Sequence, residues 1–147
     1  MIYKSASYDE TAAIARNLAE KAAEGDIFCL CGQLGAGKTS FAQGFAKGLG
    51  FDGYVNSPTF TLMQVYEGGR HTVYHFDLYR LAEENSITYD SLDDIGFFDT
   101  IEADGVSLIE WADCARDFIP KNAVWIKIEA DSTDLTENRI ISVCKNK

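Results

Sequence analysis

Apolar and polar positions alternate along this chain with two different repeat lengths, and the changes between them mark the elements. Ser7-Tyr8-Asp9-Glu10 carries the signature of a capped helix start, predicting a helix that runs to about Glu24 and stops at Gly25. Ile27-Phe28-Cys29-Leu30-Cys31 is a continuous apolar run, the pattern of a strand buried on both faces. From Thr39 to Leu49 the period lengthens: Phe41, Phe45 and Leu49 fall at helical spacing and predict an amphipathic helix. Thr61–Tyr66 and Thr72–Asp77 are rich in β-branched and aromatic residues and flank Gly68-Gly69, which predicts an antiparallel pair. The stretch from Ala82 to Asp104 is acidic and mixed, with a short helix expected around Leu92 to Phe98. Val106-Ser107-Leu108-Ile109 reads as another buried strand, followed by helical turns toward Phe118. Val124–Glu129 and Arg139–Val143 predict a closing hairpin. Together these elements imply one α/β domain, residues 1–147, whose mixed sheet has a parallel centre and antiparallel additions at the side.

Composition narrows the class. The 147 residues suffice for a core without disulfide staples. No apolar run is long enough to span a bilayer and no leader pattern opens the chain, so a cytoplasmic protein is expected. The cysteines at 29, 31, 114 and 144 show neither C-x-x-C spacing nor a companion His cluster, and are expected to be reduced core residues rather than a zinc site. A formal net charge of −10, from 23 acidic against 13 basic residues, disfavours direct binding to nucleic acid, which draws affinity from neutralising phosphates. Partnership with other proteins is left open.

The candidate chemistry starts where the first buried strand meets the helix. Gly32-Gln33-Leu34-Gly35-Ala36-Gly37-Lys38-Thr39 fits G-x-x-x-x-G-K-[ST], in the strand–loop–helix setting that this pattern needs. Glycines allow the backbone to curl so that several N–H groups point inward, and the helix N-terminus adds partial positive charge. Gly32, Gln33, Leu34, Gly35, Ala36, Gly37, Lys38, Thr39 and Ser40 are therefore expected to bind a nucleoside triphosphate, Lys38 reaching the outer phosphates and the Thr39 hydroxyl ligating Mg²⁺.

A triphosphate site also needs a carboxylate at the end of a neighbouring strand, and two residues compete. Glu110 ends Val106–Ile109 and Asp77 ends Val73–Phe76. Either can hold the ion, directly or through water, or orient an attacking water, and spacing does not divide the roles. Ser57-Pro58-Thr59 offers two hydroxyls in a loop stiffened by proline, a possible sensor of the γ-phosphate.

Gly32–Thr39, Asn56-Ser57-Pro58-Thr59-Phe60-Thr61, Tyr74-His75-Phe76-Asp77-Leu78-Tyr79-Arg80-Leu81 and Leu108-Ile109-Glu110-Trp111, in that order, closely resemble the TsaE (formerly YjeE) family, the small ATPases of tRNA threonylcarbamoyladenosine biosynthesis. The resemblance extends roughly from Ser7 to Trp125. It implies a P-loop α/β fold and a protein that works with TsaD and TsaB on ANN-decoding tRNAs, meeting tRNA only through that assembly. By position it makes Lys38 a phosphate ligand, Thr39 and Glu110 the Mg²⁺ ligands, and Asp77 the residue that supports hydrolysis or a metal-bound water. Ser57 and Thr59 fall on the family's switch-like loop, Trp111 on its Glu-Trp pair, and Thr11 in a segment near the nucleotide base. This chain has Gln33 where many members carry Asp, and its 82–99 stretch does not match the short acidic helix of some relatives.

His75 is read as part of its strand, His71 as exposed, and Phe41, Phe45, Tyr74, Phe76, Phe97 and Phe98 as core. Arg16, Arg70, Arg80, Arg116 and Arg139 all lie away from the phosphate loop in sequence, and slow hydrolysis by the isolated chain is expected. A small-molecule kinase needs an arginine-bearing lid that this composition does not supply. A guanine-reading N-K-x-D motif is absent after Glu110, which favours ATP over GTP. A non-catalytic, nucleotide-gated binding module is the remaining alternative.

Overall fold

The structure, a computed structural model, describes the chain apart from Leu34, Gly35, Ser57, Thr59, Phe60, 131–137 and 146–147. The expectations placed on Leu34, Gly35, Ser57 and Thr59 therefore lie outside the described residues. Ile2–Ser5 (β1), Ile27–Cys31 (β2), Met63–Tyr66 (β3), Val73–Asp77 (β4), Val106–Glu110 (β5), Val124–Ala130 (β6) and Arg139–Lys145 (β7) pair into one sheet in the order β1-β7-β6-β2-β5-β4-β3. The pairs β6–β2, β2–β5 and β5–β4 are parallel; β3, β7 and β1 add antiparallel on the two sides. The continuous apolar runs of β2 and β5 are buried because they sit in this parallel centre with a layer on each face.

Alternation along the central strands sorts their side chains into two cores. Phe28, Leu30, Val73, Val106, Leu108, Ile126 and Ile128 pack against the helices Tyr8–Glu20 (α1) and Lys38–Gly48 (α2), where Phe41, Phe45 and Leu49 are fully buried as their spacing predicts. Ile27, Cys29, Phe76, Ile109 and Trp125 face the opposite way. They pack against the short helices Tyr89–Asp94 (α4) and Phe97–Ile101 (α5) and the 3₁₀ segment Ala112–Phe118, with Leu81 of Tyr79–Glu83 (α3) alongside. By the same two-residue period His75, Asp77 and Glu110 share the face of Val73 and Leu108, toward α2.

The α1–α2 crossing is unusually close. A Cβ built on Gly44 falls 2.0 Å from the Ala12 carbonyl oxygen, and one on Gly48 falls 2.5 Å from that of Arg16. These two glycines allow α2 to lie directly against the backbone of α1, which fixes the height at which the phosphate-loop helix begins.

Three local expectations change. α1 ends at Glu20 rather than Glu24, because the Arg70 guanidinium takes the carbonyls of Ala19, Glu20 and Ala22 at 2.9, 3.2 and 3.0 Å and so satisfies its C-terminus in trans. Its start is a variant of the capping box: Ser7 Oγ accepts from Glu10 N at 3.1 Å, while the Glu10 carboxylate accepts from Ala6 N rather than from Ser7. The acidic stretch contains two short helices, α4 and α5, instead of one, after the last residues of α3, with Thr88 capping α4 through Ser91 N. Strand β1 carries no alternating signal of its own, with Ile2 exposed, and is defined by pairing with β7 from Ile2↔Ser142 to Ser5↔Arg139.

His71 is half-buried rather than exposed, and of the free cysteines only Cys29 is fully buried; Cys31 is half-buried, while Cys114 and Cys144 are exposed. Among the described residues no helix is long and apolar enough to cross a membrane.

Two outcomes test this packing. Gly44→Ala should lower stability by about 1–3 kcal/mol in chemical denaturation, because the helices must separate to admit the methyl group. Burial lifts the Cys29 thiol to about 12 and the Cys31 thiol to about 11, from an ordinary 9.0. A raised thiol resists forming the reactive thiolate, and the stability that accompanies it is present below the ordinary value and lost as pH rises through the folded one. Alkylation of native protein near pH 8 should therefore label Cys114 and Cys144 and leave Cys29 and Cys31 silent until denaturant is added. Mass spectrometry of the labelled peptides reads the result.

Candidate functional site

Three neighbouring parallel strands deliver their C-terminal ends to one edge of the sheet. Leu30 of β2 lies opposite Glu110 of β5, and Glu110 lies opposite Asp77 of β4. Beyond the strand ends, Trp111 N donates to Leu30 O at 3.1 Å and Leu78 N donates to Glu110 O at 3.1 Å, so the edge stays stitched as the chains turn away. Gly32 leaves β2 against the backbone of β6: a Cβ there would meet the Ile128 carbonyl oxygen at 2.8 Å. Ala36 N returns to Gln33 O at 3.0 Å, and Gly37 adopts φ +103 at the N-cap of α2, a conformation that favours glycine. The described ends of the loop thus curl from strand to helix as the sequence pattern requires.

Lys38 opens α2 and is buried. Its ammonium donates to the Gly32 carbonyl at 2.7 Å and lies 4.0 Å from the centroid of the Trp111 ring. Burial pushes its pKa below the ordinary lysine value, while Glu110 and then Asp77 pull it back up. Both carboxylates are themselves 2–3% exposed, so neither is the solvated charge that commonly ends a strand. Lys38, Glu110 and Asp77, separated by up to 72 positions in sequence (110 − 38), are brought into one electrostatic group. Thr39 is exposed and Ser40 half-buried on the first turn of α2; Gln33 is exposed and Ala36 buried.

The residue that sequence reasoning left in its strand, His75, is the hydrogen-bond partner of Glu110. His75 Nε2 lies 2.5 Å from Glu110 Oε2, and both side chains are buried. On the other side of the ring, Nδ1 lies 2.9 Å from the Tyr66 hydroxyl. Tyr66 is reached diagonally across the β3–β4 hairpin, where Gln64 stands opposite His75. Burial raises the Tyr66 phenol to about 12, so it remains a hydroxyl. His75 could have been suspected from its position two residues before Asp77 on the same face. Tyr66 could not, because only the hairpin register aims it there.

Thr11 is fully buried, with its hydroxyl 2.8 Å from Ser5 Oγ, and its methyl lies beneath Gly37, 4.0 Å from the position of a Cβ there. Tyr8 adds its ring 3.8 Å from the same point. No arginine adjoins the phosphate loop in sequence, but one reaches it in space. Arg139, at the start of β7, donates from Nε to Ala36 O at 2.9 Å, from Nη1 to Asn138 O at 2.8 Å and from Nη2 to the Tyr8 hydroxyl at 3.4 Å. The contact spans 103 positions and follows from the β6–β7 pairing, which no local pattern records.

Trp111 adopts φ +60, a left-handed conformation that is costly for a bulky side chain, and its ring packs 5.0 Å from that of Tyr79. It lines a cleft of about 480 Å³ with Cys31, Gly32, Gln33, Ala36 and Asp113. Among the described residues no group of three or more His, Cys, Asp or Glu is placed to hold a metal ion by itself. A hydroxyl and one or two carboxylates are the hard oxygen donors with which Mg²⁺ is held beside phosphate and water, so the donor set of Thr39, Glu110 and Asp77 fits that ion.

Comparison with known proteins agrees with this arrangement. The sequence profile described as threonylcarbamoyl adenosine biosynthesis protein TsaE matches residues 5–141. The chain is 38% identical over 135 residues to the tRNA threonylcarbamoyladenosine biosynthesis protein TsaE of Bacillus subtilis, covering 92% of this chain and 81% of that one. It is 42% identical over 105 residues to the protein of the same name from Treponema pallidum, covering 71% and 73%. The crystal structure of Bacillus subtilis YdiB superposes with a TM-score of 0.80 at 32% identity, covering 100% of this chain and 86% of that one. With a mixed α/β sheet of P-loop type and the glycine loop, paired acids and Glu-Trp step in their expected order, this chain belongs to the TsaE family of tRNA threonylcarbamoyladenosine biosynthesis proteins.

Proposed function

We propose that the chain is a Mg²⁺-dependent ATPase that supports threonylcarbamoyladenosine modification of ANN-decoding tRNAs as a partner of TsaD and TsaB. The observation that carries the reading is the convergence of buried Lys38, Glu110 and Asp77 beside a curled glycine loop at one sheet edge. In this reading the loop N–H groups and the α2 N-terminus bind the phosphates, and Lys38 turns from Gly32 O to the outer phosphates. Thr39 and Glu110 would hold the ion, and Asp77 would support hydrolysis or a metal-bound water through its carboxylate. Magnesium, when bound, neutralises charge on the phosphate oxygens.

Hydrolysis by the chain alone is slow in this proposal. The one arginine described against the loop, Arg139, is buried and directs its donors to two main-chain carbonyls and Tyr8, which makes it a support for the loop rather than a finger on the γ-phosphate. A partner then accelerates turnover. The net charge of −10 fits a protein that meets tRNA indirectly, through other proteins.

Phosphate release from ATP, measured with and without a TsaD–TsaB pair, tests the proposal: release should be low alone and rise by about 10³-fold or more with the pair, the lower end of what an arginine supplied to the transition state contributes. Full turnover alone, unaltered by the pair, overturns it. Transfer of phosphate to a metabolite would make the chain a kinase, and binding without release a nucleotide-gated module. Lys38→Ala should weaken triphosphate binding by roughly 1.5–3 kcal/mol in calorimetry, the worth of a charge-assisted contact. Glu110→Ala should lower metal-dependent turnover more than nucleotide affinity. Intact hydrolysis in Glu110→Ala, together with lost metal binding in Asp77→Ala, would exchange the two roles.

A further inference from the structure

The segment between α2 and β3 is hydrogen-bonded at Asn56 to Tyr66 at the end of β3, and at Leu62 to Asp77 at the end of β4. At the first contact, the Asn56 carbonyl lies 3.1 Å from the Tyr66 hydroxyl, which touches His75, which touches Glu110. At the second, Leu62 sits at φ +68, closes on the Pro58 carbonyl at 2.7 Å and accepts from Asp77 N at 3.0 Å. The Tyr66 ring is also stacked on Phe51, 4.9 Å away, at the exit from α2. We propose that Tyr66 and His75 are positioning residues: they form a relay that ties the orientation of the Glu110 carboxylate toward the metal ion to the main chain at Asn56. The proposal rests on the reading of Glu110 as the metal-holding acid.

A carboxylate only accepts, so His75 Nε2 donates to Glu110 Oε2. The Tyr66 hydroxyl holds the other ring nitrogen at 2.9 Å and also lies within reach of Asn56 O at 3.1 Å and Gln64 Oε1 at 3.2 Å, so it ties the ring to the main chain at Asn56. With both nitrogens held, the ring cannot turn and the Glu110 carboxylate is fixed by it. The arrangement is dry, since Tyr66, His75 and Glu110 are all buried, so no bulk water substitutes for a missing partner. A displacement of Asn56 thereby acts on the carboxylate through Tyr66 and His75.

Calorimetric titration of ATP into the full chain, in EDTA and across a Mg²⁺ series, reads the effect without reference to turnover. Glutamine keeps a donor at the Nε2 position and loses the group facing Tyr66, whereas asparagine does the reverse. His75→Asn should raise the Mg²⁺ concentration for half-maximal enhancement of ATP binding by about 10–100-fold, the usual cost of removing a group that orients a metal ligand. His75→Gln should recover most of that loss. Tyr66→Phe, which keeps the ring on Phe51, should raise it by about fivefold, the worth of one neutral hydrogen bond, and should also speed amide exchange at Asn56. Affinity for ATP in EDTA should stay at the wild-type value in all three. The proposal requires both effects in Tyr66→Phe, and loss of either overturns it. Glu110→Gln separates the two levels of inference. If it abolishes the Mg²⁺ dependence while His75→Asn and Tyr66→Phe leave it intact, the relay is wrong and the role of Glu110 stands. If Glu110→Gln leaves the dependence intact, the role of Glu110 falls and the relay with it.

Discussion

The parallel register of β4, β5 and β2 is the constraint on which the rest of this structure depends. Asp77 lies opposite Glu110, and Glu110 opposite Leu30, the residue one position before the last of β2. A shift of one residue in either pairing would turn a carboxylate to the other face of the sheet, where Ile109, Phe76 and the short helices leave only apolar surroundings. Register is held in turn by the two cores. Leu30, Leu108 and Val73 are committed to the α1–α2 face, and Cys29, Ile109 and Phe76 to the opposite one. The chemistry at the edge is thus specified by burial well below it.

That edge concentrates charge where water is scarce. Lys38, Asp77 and Glu110 are all nearly inaccessible, and the desolvation that lowers the lysine pKa is opposed by the two acids beside it. A buried group of this kind is costly for folding, and its persistence is best understood through what it does. The supports around it are consistent with a preorganised site. Arg139 and Tyr8 brace the loop from the β7 and α1 sides, Thr11 fills the space beneath Gly37, and the tight Gly44 and Gly48 crossing sets the height of α2. Trp111, held in a left-handed conformation directly after Glu110, covers the Lys38 ammonium.

Membership of the TsaE family and the acidic surface bear on one another. In the function proposed above, a net charge of −10 leaves little affinity to be drawn from phosphate neutralisation, so the chain would act before contact with RNA. In the same proposal, the tie from Asn56 through Tyr66 and His75 to Glu110 would give protein partners a physical route to the site.

The sequence by itself determined the elements whose signal is local. These include the buried runs of β2 and β5, the α2 stripe of Phe41, Phe45 and Leu49, the Gly68-Gly69 hairpin, and the glycine loop with its lysine. It also marked Glu110 and Asp77 as strand-end acids, because hydrophobic periodicity shows where a strand stops. Only the tertiary structure decided what reaches those residues from elsewhere. His75 became the partner of Glu110, and Tyr66 of His75, through pairing register, Arg139 met Ala36 through the β6–β7 return, Arg70 shortened α1 from fifty positions away, and β1 existed only against β7. Periodicity reports the environment of each segment along its own axis. Which side chains meet across segments is set by the register and packing of the whole sheet, and that information is not stored within any one stretch of the chain.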